Sequence, residues 1–172
     1  MSQLKLVKIV LSAAMATFFA ANATAVAGTA TTNLGVTASV TGNCIISTAD
    51  VAFGAYDPIV ANAASAQNGT GTVTITCTKD ESTVLTLGLG ANDNGGSASD
   101  PARRLRDGTN FLSYTLFSNA GRTTEWGNNA GTGVADTGTG TARAHTVYGS
   151  IGPGQNVPEG SYSDTVLATV TF

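Results

Sequence analysis

Few side chains in this 172-residue sequence could do chemistry, and their spacing restricts what that chemistry would be. Its two cysteines, Cys44 and Cys77, lie 33 positions apart, with no Cys-x-x-Cys pair and no histidine cluster that would support a metal or redox site. In an oxidising compartment an even number of cysteines makes a single disulfide the economical assignment. His145, the one histidine, falls within an alternating strand pattern and reads as a satisfied or surface-facing side chain. With both cysteines bonded there is no Cys-His pair, and no Gly-x-Ser-x-Gly elbow occurs, so a nucleophile beside its base is missing. Gly88 and Gly90 lead to Asp93 without a third glycine or a helical pattern, which fails the dinucleotide motif. The acids near Asp93 do not alternate as a calcium loop requires, and Asp93-Asn94-Gly95-Gly96 reads as a turn, where Asp has a local hydrogen-bonding reason to stand. Trp126 could stack on a sugar, but beside Gly127 it is expected to pack in the core or at an edge. The expectation is a protein without a catalytic residue, bound metal or cofactor.

Charge narrows the partners. Lys5 and Lys8 precede an apolar, small-residue run from Ile9 to Ala21, and Ala25-Val26-Ala27 offers a cleavage site before Gly28. Residues 1–27 therefore read as a secretory signal, the run being too short and Ala-rich for a membrane anchor. Without it, six basic residues face eleven acidic ones, a formal charge of −5, and an acidic domain repels nucleic acid. The one basic cluster, Arg103-Arg104 with Arg106, is flanked by Asp100 and Asp107 and reads as a solvated strand or loop edge.

The elements that would carry these residues are short strands. About 145 residues remain after the signal, enough for one domain with a core of its own, and a Gly-, Ala- and Thr-rich composition with few charges suits strands and turns. Residues 45–47 and 51–53 read as strands broken at Asp50, and residues 56–67 as a loop. Asn68-Gly69 reads as a turn into a strand ending at Cys77. After a turn at residues 79–81, residues 83–89 form the next strand. Asp107-Gly108 turns into residues 110–117, apolar on both faces and so expected to be central. Residues 122–126 are a short run, residues 127 to about 141 a mobile loop, and residues 144–151 a further strand. Seven or so such strands without a credible helix predict a β-sandwich.

Two stretches complete the pattern. Downstream of a turn at Pro158-Glu159-Gly160, the residues Tyr162, Val166, Ala168, Val170 and Phe172 recur at even positions with Thr165, Thr169 and Thr171 between them. This is a half-buried strand that stops where it is most apolar, so that something else must pair beside it or an edge stays open. Residues 31 to 41 place Leu34, Val36, Ala38 and Val40 on one face, without charge or proline. That segment could pair with its own sheet or enter the open groove of another copy, which would make a polymer.

Several runs together resemble the spore coat protein U domain family, found in subunits of archaic chaperone-usher pili. They are Phe111-Leu112-Ser113-Tyr114-Thr115-Leu116-Phe117, Glu125-Trp126-Gly127, Val147-Tyr148-Gly149-Ser150-Ile151, Gly160-Ser161-Tyr162-Ser163-Asp164-Thr165-Val166 and the closing Thr169-Val170-Thr171-Phe172, with Cys44 and Thr76-Cys77 ahead of them. The resemblance implies an incomplete immunoglobulin-like β-sandwich whose last strand comes from a periplasmic chaperone, and later from the N-terminal extension of the next subunit at an outer-membrane usher. It assigns residues 28–41 as the donor segment and residues 42–172 as the domain. Leu34, Val36, Ala38 and Val40 become donor residues, and Tyr162, Val166, Ala168, Val170 and Phe172 the acceptor edge. The implied role is a non-enzymatic subunit of a surface fibre serving adhesion or biofilm formation. It passes through the periplasm in transit, and its partners are other copies of itself or related pilin subunits. A monomeric secreted coat or carbohydrate-binding module is the alternative, and it would close its own sheet with residues 31 to 41.

Overall fold

The structure, a computed structural model, describes residues 26–172, so that of the expected export signal all but Val26 and Ala27 lies outside the described residues. The chain divides into residues 1–38 and residues 39–172. In the first unit the described residues 26–38 form no strand and are exposed.

The second unit is all β among its described residues. Its strands are β1 (Cys44–Ala52), β2 (Gln67–Cys77), β3 (Ser82–Leu87), β4 (Arg104–Asp107), β5 (Asn110–Phe117), β6 (Val134–Thr137), β7 (Arg143–Ile151) and β8 (Ala168–Thr171). Five of them form one antiparallel sheet in the order β1-β2-β7-β5-β4, and three form a second in the order β6-β3-β8. Period-two alternation turns one face of each sheet inward. Val73 and Ile75 of β2, Leu85 and Leu87 of β3, Leu112 and Leu116 of β5, and Val147 and Ile151 of β7 thus meet in one core around Trp126. Trp126 is fully buried and donates its indole N–H to the Leu85 carbonyl at 2.9 Å.

Strand β5 has the predicted bounds and lies inside its sheet, between β4 and β7. Only its Leu112, Tyr114 and Leu116 face enters the core. On the other face Phe111 is covered by the Arg104 guanidinium, 4.0 Å above its ring.

Four expectations need correction. Asn68-Gly69 is no turn, because β2 runs through it. Strand β1 is likewise one strand, its register against β2 slipping between Ala49 and Ala52. The glycines are there for close approach: a Cβ on Gly69 would stand 2.6 Å from the Ala52 carbonyl oxygen, and one on Gly71 2.7 Å from that of Ala49. The stretch read as a mobile loop contains β6, paired with β3 from Ser82↔Thr137 to Leu85↔Val134. Finally, Arg103 is not at a solvated edge. It is 1% exposed, with Nε bonded to the Gly88 carbonyl at 2.9 Å and Nη2 to those of Leu87 at 2.8 Å and Trp126 at 2.9 Å.

The cysteines are joined. Cys44 and Cys77 are opposed residues of β1 and β2, with Cα atoms 4.1 Å apart, so the disulfide fixes the first residue of an edge strand to the last residue of an interior one. Closing a loop of 33 residues is worth roughly 3 to 4 kcal/mol on the chain-entropy account. The double substitution Cys44→Ser with Cys77→Ser is therefore expected to lower the yield of folded protein. Peptide mapping of the wild type without reductant should recover the two cysteines in one linked fragment; two free thiols would contradict the pairing.

Candidate functional site

A sandwich of five strands against three leaves the smaller sheet short. Among the described residues, strand β8 pairs with β3 on one side and with no strand on the other, and across the gap stands β1, the free edge of the larger sheet. Between them opens a groove of about 830 Å³. Its walls are residues 48–58, from β1 onward, and residues leading into β8, with Tyr162, Val166 and Ala168 among them; Leu112, Tyr114, Leu116, Val147 and Ile151 form its floor.

The gap also explains an anomaly on β1. Ile46 is opposed to Ile75, and opposed residues of an antiparallel pair share a face. Ile75 is buried, whereas Ile46 is 38% exposed. An inward-facing isoleucine of an edge strand stays open to solvent because nothing covers it. Ile46 lies on β1 ahead of the groove-lining residues 48–58, and sequence reasoning gave it no face, since a strand read as interrupted at Asp50 offers none to assign.

The predicted acceptor edge divides into three parts. Along residues 162–170 the even positions are half-buried and the odd ones exposed, the expected alternation. Tyr162, Val166 and Ala168 line the groove and Val170 packs against the core. Phe172 is 54% exposed. The regular strand is shorter than expected, covering Ala168–Thr171 alone. Upstream, the backbone is held by separate bonds. The Gly88 N–H donates to the Leu167 carbonyl at 2.8 Å and the Ala91 N–H to that of Thr165 at 3.0 Å, while Ser163 and Arg106 exchange bonds of 3.1 and 2.8 Å.

A carboxylate interrupts this apolar edge. Asp164 takes an inward position, where its Oδ2 accepts the Tyr114 hydroxyl at 2.8 Å and its Oδ1 accepts the Asn92 N–H at 3.2 Å and side-chain amide at 3.0 Å. Burial first, and then the bond to Asp164, push the Tyr114 hydroxyl far above the usual tyrosine range, so it stays a proton donor. The Tyr114 ring in turn meets Phe53 edge-on, with centroids 5.9 Å apart. One stretch of the groove is thereby lined by two aromatic rings and a satisfied acid.

The predicted donor residues stand free. Leu34, Val36 and Val40 are 87%, 85% and 86% exposed, and the segment from 31 to 41 forms no strand. Elsewhere, His145 is satisfied as expected. Its Nε2 lies 2.8 Å from Asp136 Oδ2, which also accepts Arg143 Nε at 2.7 Å. Partial burial raises the Asp136 carboxyl, and the bonds from Arg143, the Thr137 N–H and His145 outweigh it, holding the group below the usual range. That cluster joins β6 to β7. Among the described residues no group of three or more His, Cys, Asp or Glu is placed to hold a metal ion.

Known proteins resemble this chain in sequence and in fold. A family model described as the Spore Coat Protein U domain matches residues 30–169. Protein U of Myxococcus xanthus is 41% identical over 155 residues, covering 85% of this chain and 87% of that protein. A crystal structure of the CsuC-CsuE chaperone-tip adhesion subunit pre-assembly complex, from archaic chaperone-usher Csu pili of Acinetobacter baumannii, superimposes with a TM-score of 0.57 at 22% identity. The match covers 77% of this chain and 40% of that one. At that identity the likeness is one of fold, and the fold is the immunoglobulin-like sandwich.

Proposed function

The chain belongs to the Spore Coat Protein U domain family, a structural and non-enzymatic one, and from that premise we propose that it is a subunit of a surface fibre assembled by the chaperone-usher route. Residues 1–27 direct export, residues 28–41 form the donor segment and residues 42–172 form the acceptor domain. In the periplasm a chaperone lends a strand to the groove, and at an outer-membrane usher the donor segment of the next copy, or of a related pilin, replaces it. The fibre serves adhesion or biofilm formation.

One observation supports this above the others. The groove between β1 and β8 lacks a strand, and the same chain carries an exposed, uncharged segment with the alternation a strand needs. A strand added to an open sheet edge gains main-chain hydrogen bonds along its length and side-chain burial at every second residue.

The test is gel migration of surface extract, unheated and boiled, from cells making the full chain and from cells making a chain without residues 31–41. The full chain should give a ladder that collapses on boiling. The truncated chain should accumulate with its chaperone and give no ladder. A single band in both lanes for the full chain would indicate the monomeric coat or carbohydrate-binding module instead, and loss of the truncated chain even with chaperone supplied would place the segment in its own domain.

A further inference from the structure

The size pattern along the two surfaces fixes how they meet. Inward positions of the acceptor edge run Tyr162, Asp164, Val166, Ala168 and Val170. Ala168 is the smallest of them, and at Asp164 the groove is lined by two large rings, those of Tyr114 and Phe53. The apolar face of the donor segment runs Leu34, Val36, Ala38 and Val40, with one small residue and one leucine. Close packing favours the large donor side chain over the small acceptor one, and the small donor side chain where large acceptor side chains stand.

We propose that the segment of a second copy enters antiparallel to β8, with Leu34 opposite Ala168 and Ala38 opposite Asp164. This rests on the strand-exchange function above. Antiparallel partners have residue numbers of constant sum, so the same register sets Val36 opposite Val166 and Val40 opposite Tyr162, and Thr32 reaches Val170. All five inward positions are then covered. Moved two residues either way, the antiparallel strand brings Val36 or Val40 onto Asp164 in place of the alanine. A parallel strand that sets Leu34 against Ala168 carries Ala38 to position 172, away from Asp164. One that sets Ala38 against Asp164 leaves Leu34 at Gly160, beyond the inward face. Only the antiparallel direction satisfies both matches.

Ala38 is then the residue that specifies register. A methyl group clears the Tyr114, Phe53 and Asp164 cluster, and a larger apolar group meets both rings and a carboxylate whose oxygens are already engaged.

Paired cysteines test the register, because opposed Cβ atoms of an antiparallel pair come within disulfide reach. Cells making the full chain with Leu34→Cys and Ala168→Cys should yield a surface ladder that survives boiling and collapses with reductant. The shifted pairs, Leu34→Cys with Val166→Cys and Leu34→Cys with Val170→Cys, should give at least tenfold less covalent ladder. If a shifted pair links and the Leu34–Ala168 pair does not, the register is wrong and strand exchange stands. If no pair links and the wild type gives no heat-sensitive ladder, strand exchange itself fails. As a second readout, Ala38→Leu should lower assembly at least tenfold while Ala38→Ser stays within about twofold of wild type. Position 38 is exposed in the free chain, so its own fold is preserved. Equal assembly by both variants would remove Ala38 from the specificity role.

Discussion

Val36→Asp is expected to abolish fibre assembly, and Thr37→Asp, one residue along, to leave it near the wild-type level. The difference comes from alternation: successive side chains of an inserted strand point to opposite faces, so position 36 enters the groove and position 37 faces away. Burial of Leu34, Val36 and Val40 contributes about 1.5 to 3 kcal/mol each, on the order of 5 to 9 kcal/mol in all before the cost of ordering the segment. An aspartate at position 36 forfeits its share of that and places an unpaired charge on a floor of Leu112, Leu116, Val147 and Ile151, at a cost of several kcal/mol more. Each 1.4 kcal/mol is a factor of ten in affinity, so a hundredfold or greater loss is the expected size. A fibre-assembly assay on both variants, with chaperone and usher present, measures it. Equal assembly by the two, or failure of Thr37→Asp alone, would mean that the segment or its face is misassigned.

Arg103→Leu should be the most damaging single substitution inside the domain, destabilising it by roughly 3 to 5 kcal/mol. Burial lowers the affinity of this guanidinium for its proton, and the negative or polar groups around it, Tyr114, Glu125, Asp164 and Asp93, oppose that effect. Removing the side chain leaves the carbonyls of Leu87, Gly88 and Trp126 without these donors. It also takes away the charge facing Glu125, whose Oε1 lies 3.8 Å from Nη1, close enough for attraction and too far for a hydrogen bond. Arg103→Lys should recover only part of the loss, because an ammonium cannot reach three carbonyls with the spread of a planar fork. Arg104→Leu serves as the control. Its guanidinium covers the Phe111 ring at the sheet face and donates to the Asn92 carbonyl at 3.0 Å, contacts worth about 1 to 2 kcal/mol together at a partly exposed site. Denaturant unfolding of the three variants checks the order, and an Arg103→Leu midpoint equal to that of Arg104→Leu would refute it.

These two residues mark the limits of legibility. The alternation that identifies β5 also assigns the inward positions 162 to 170, because one buried face and one exposed face leave a period in the sequence itself. A buried arginine leaves no such mark. Arg103 and Arg104 are adjacent and chemically identical and both reach carbonyls, and what separates them is burial: the three that Arg103 meets, from β3, the residue after it and Trp126, lie in the core, which local sequence does not display. Glycine misleads for a related reason. Gly69 and Gly71 make room for β1, and Gly133 does so for the carbonyl of Leu85, 2.7 Å from where a Cβ would stand. A glycine required by a neighbouring strand looks the same in sequence as one required by a turn, so β2 reads as beginning late and β6 disappears into a loop. Asp164 was visible in the closing motif, but its partner Tyr114 is 50 residues away, and only the folded chain brings the two together beside the groove.

The position of the disulfide has a mechanical consequence. Among the described residues strand β1 is an edge strand paired with β2 alone, and such a strand, pulled from one end, peels off one hydrogen-bonded pair at a time under little force. Tension applied to the chain ahead of Cys44 does not begin that peeling, because the first residue it reaches is bonded to Cys77. The load passes directly into β2, which has a neighbour on each side, and to unravel from there the sheet must shear several rows of bonds together. Reduction of one bond would turn the domain from a link that resists stretching into one that unzips.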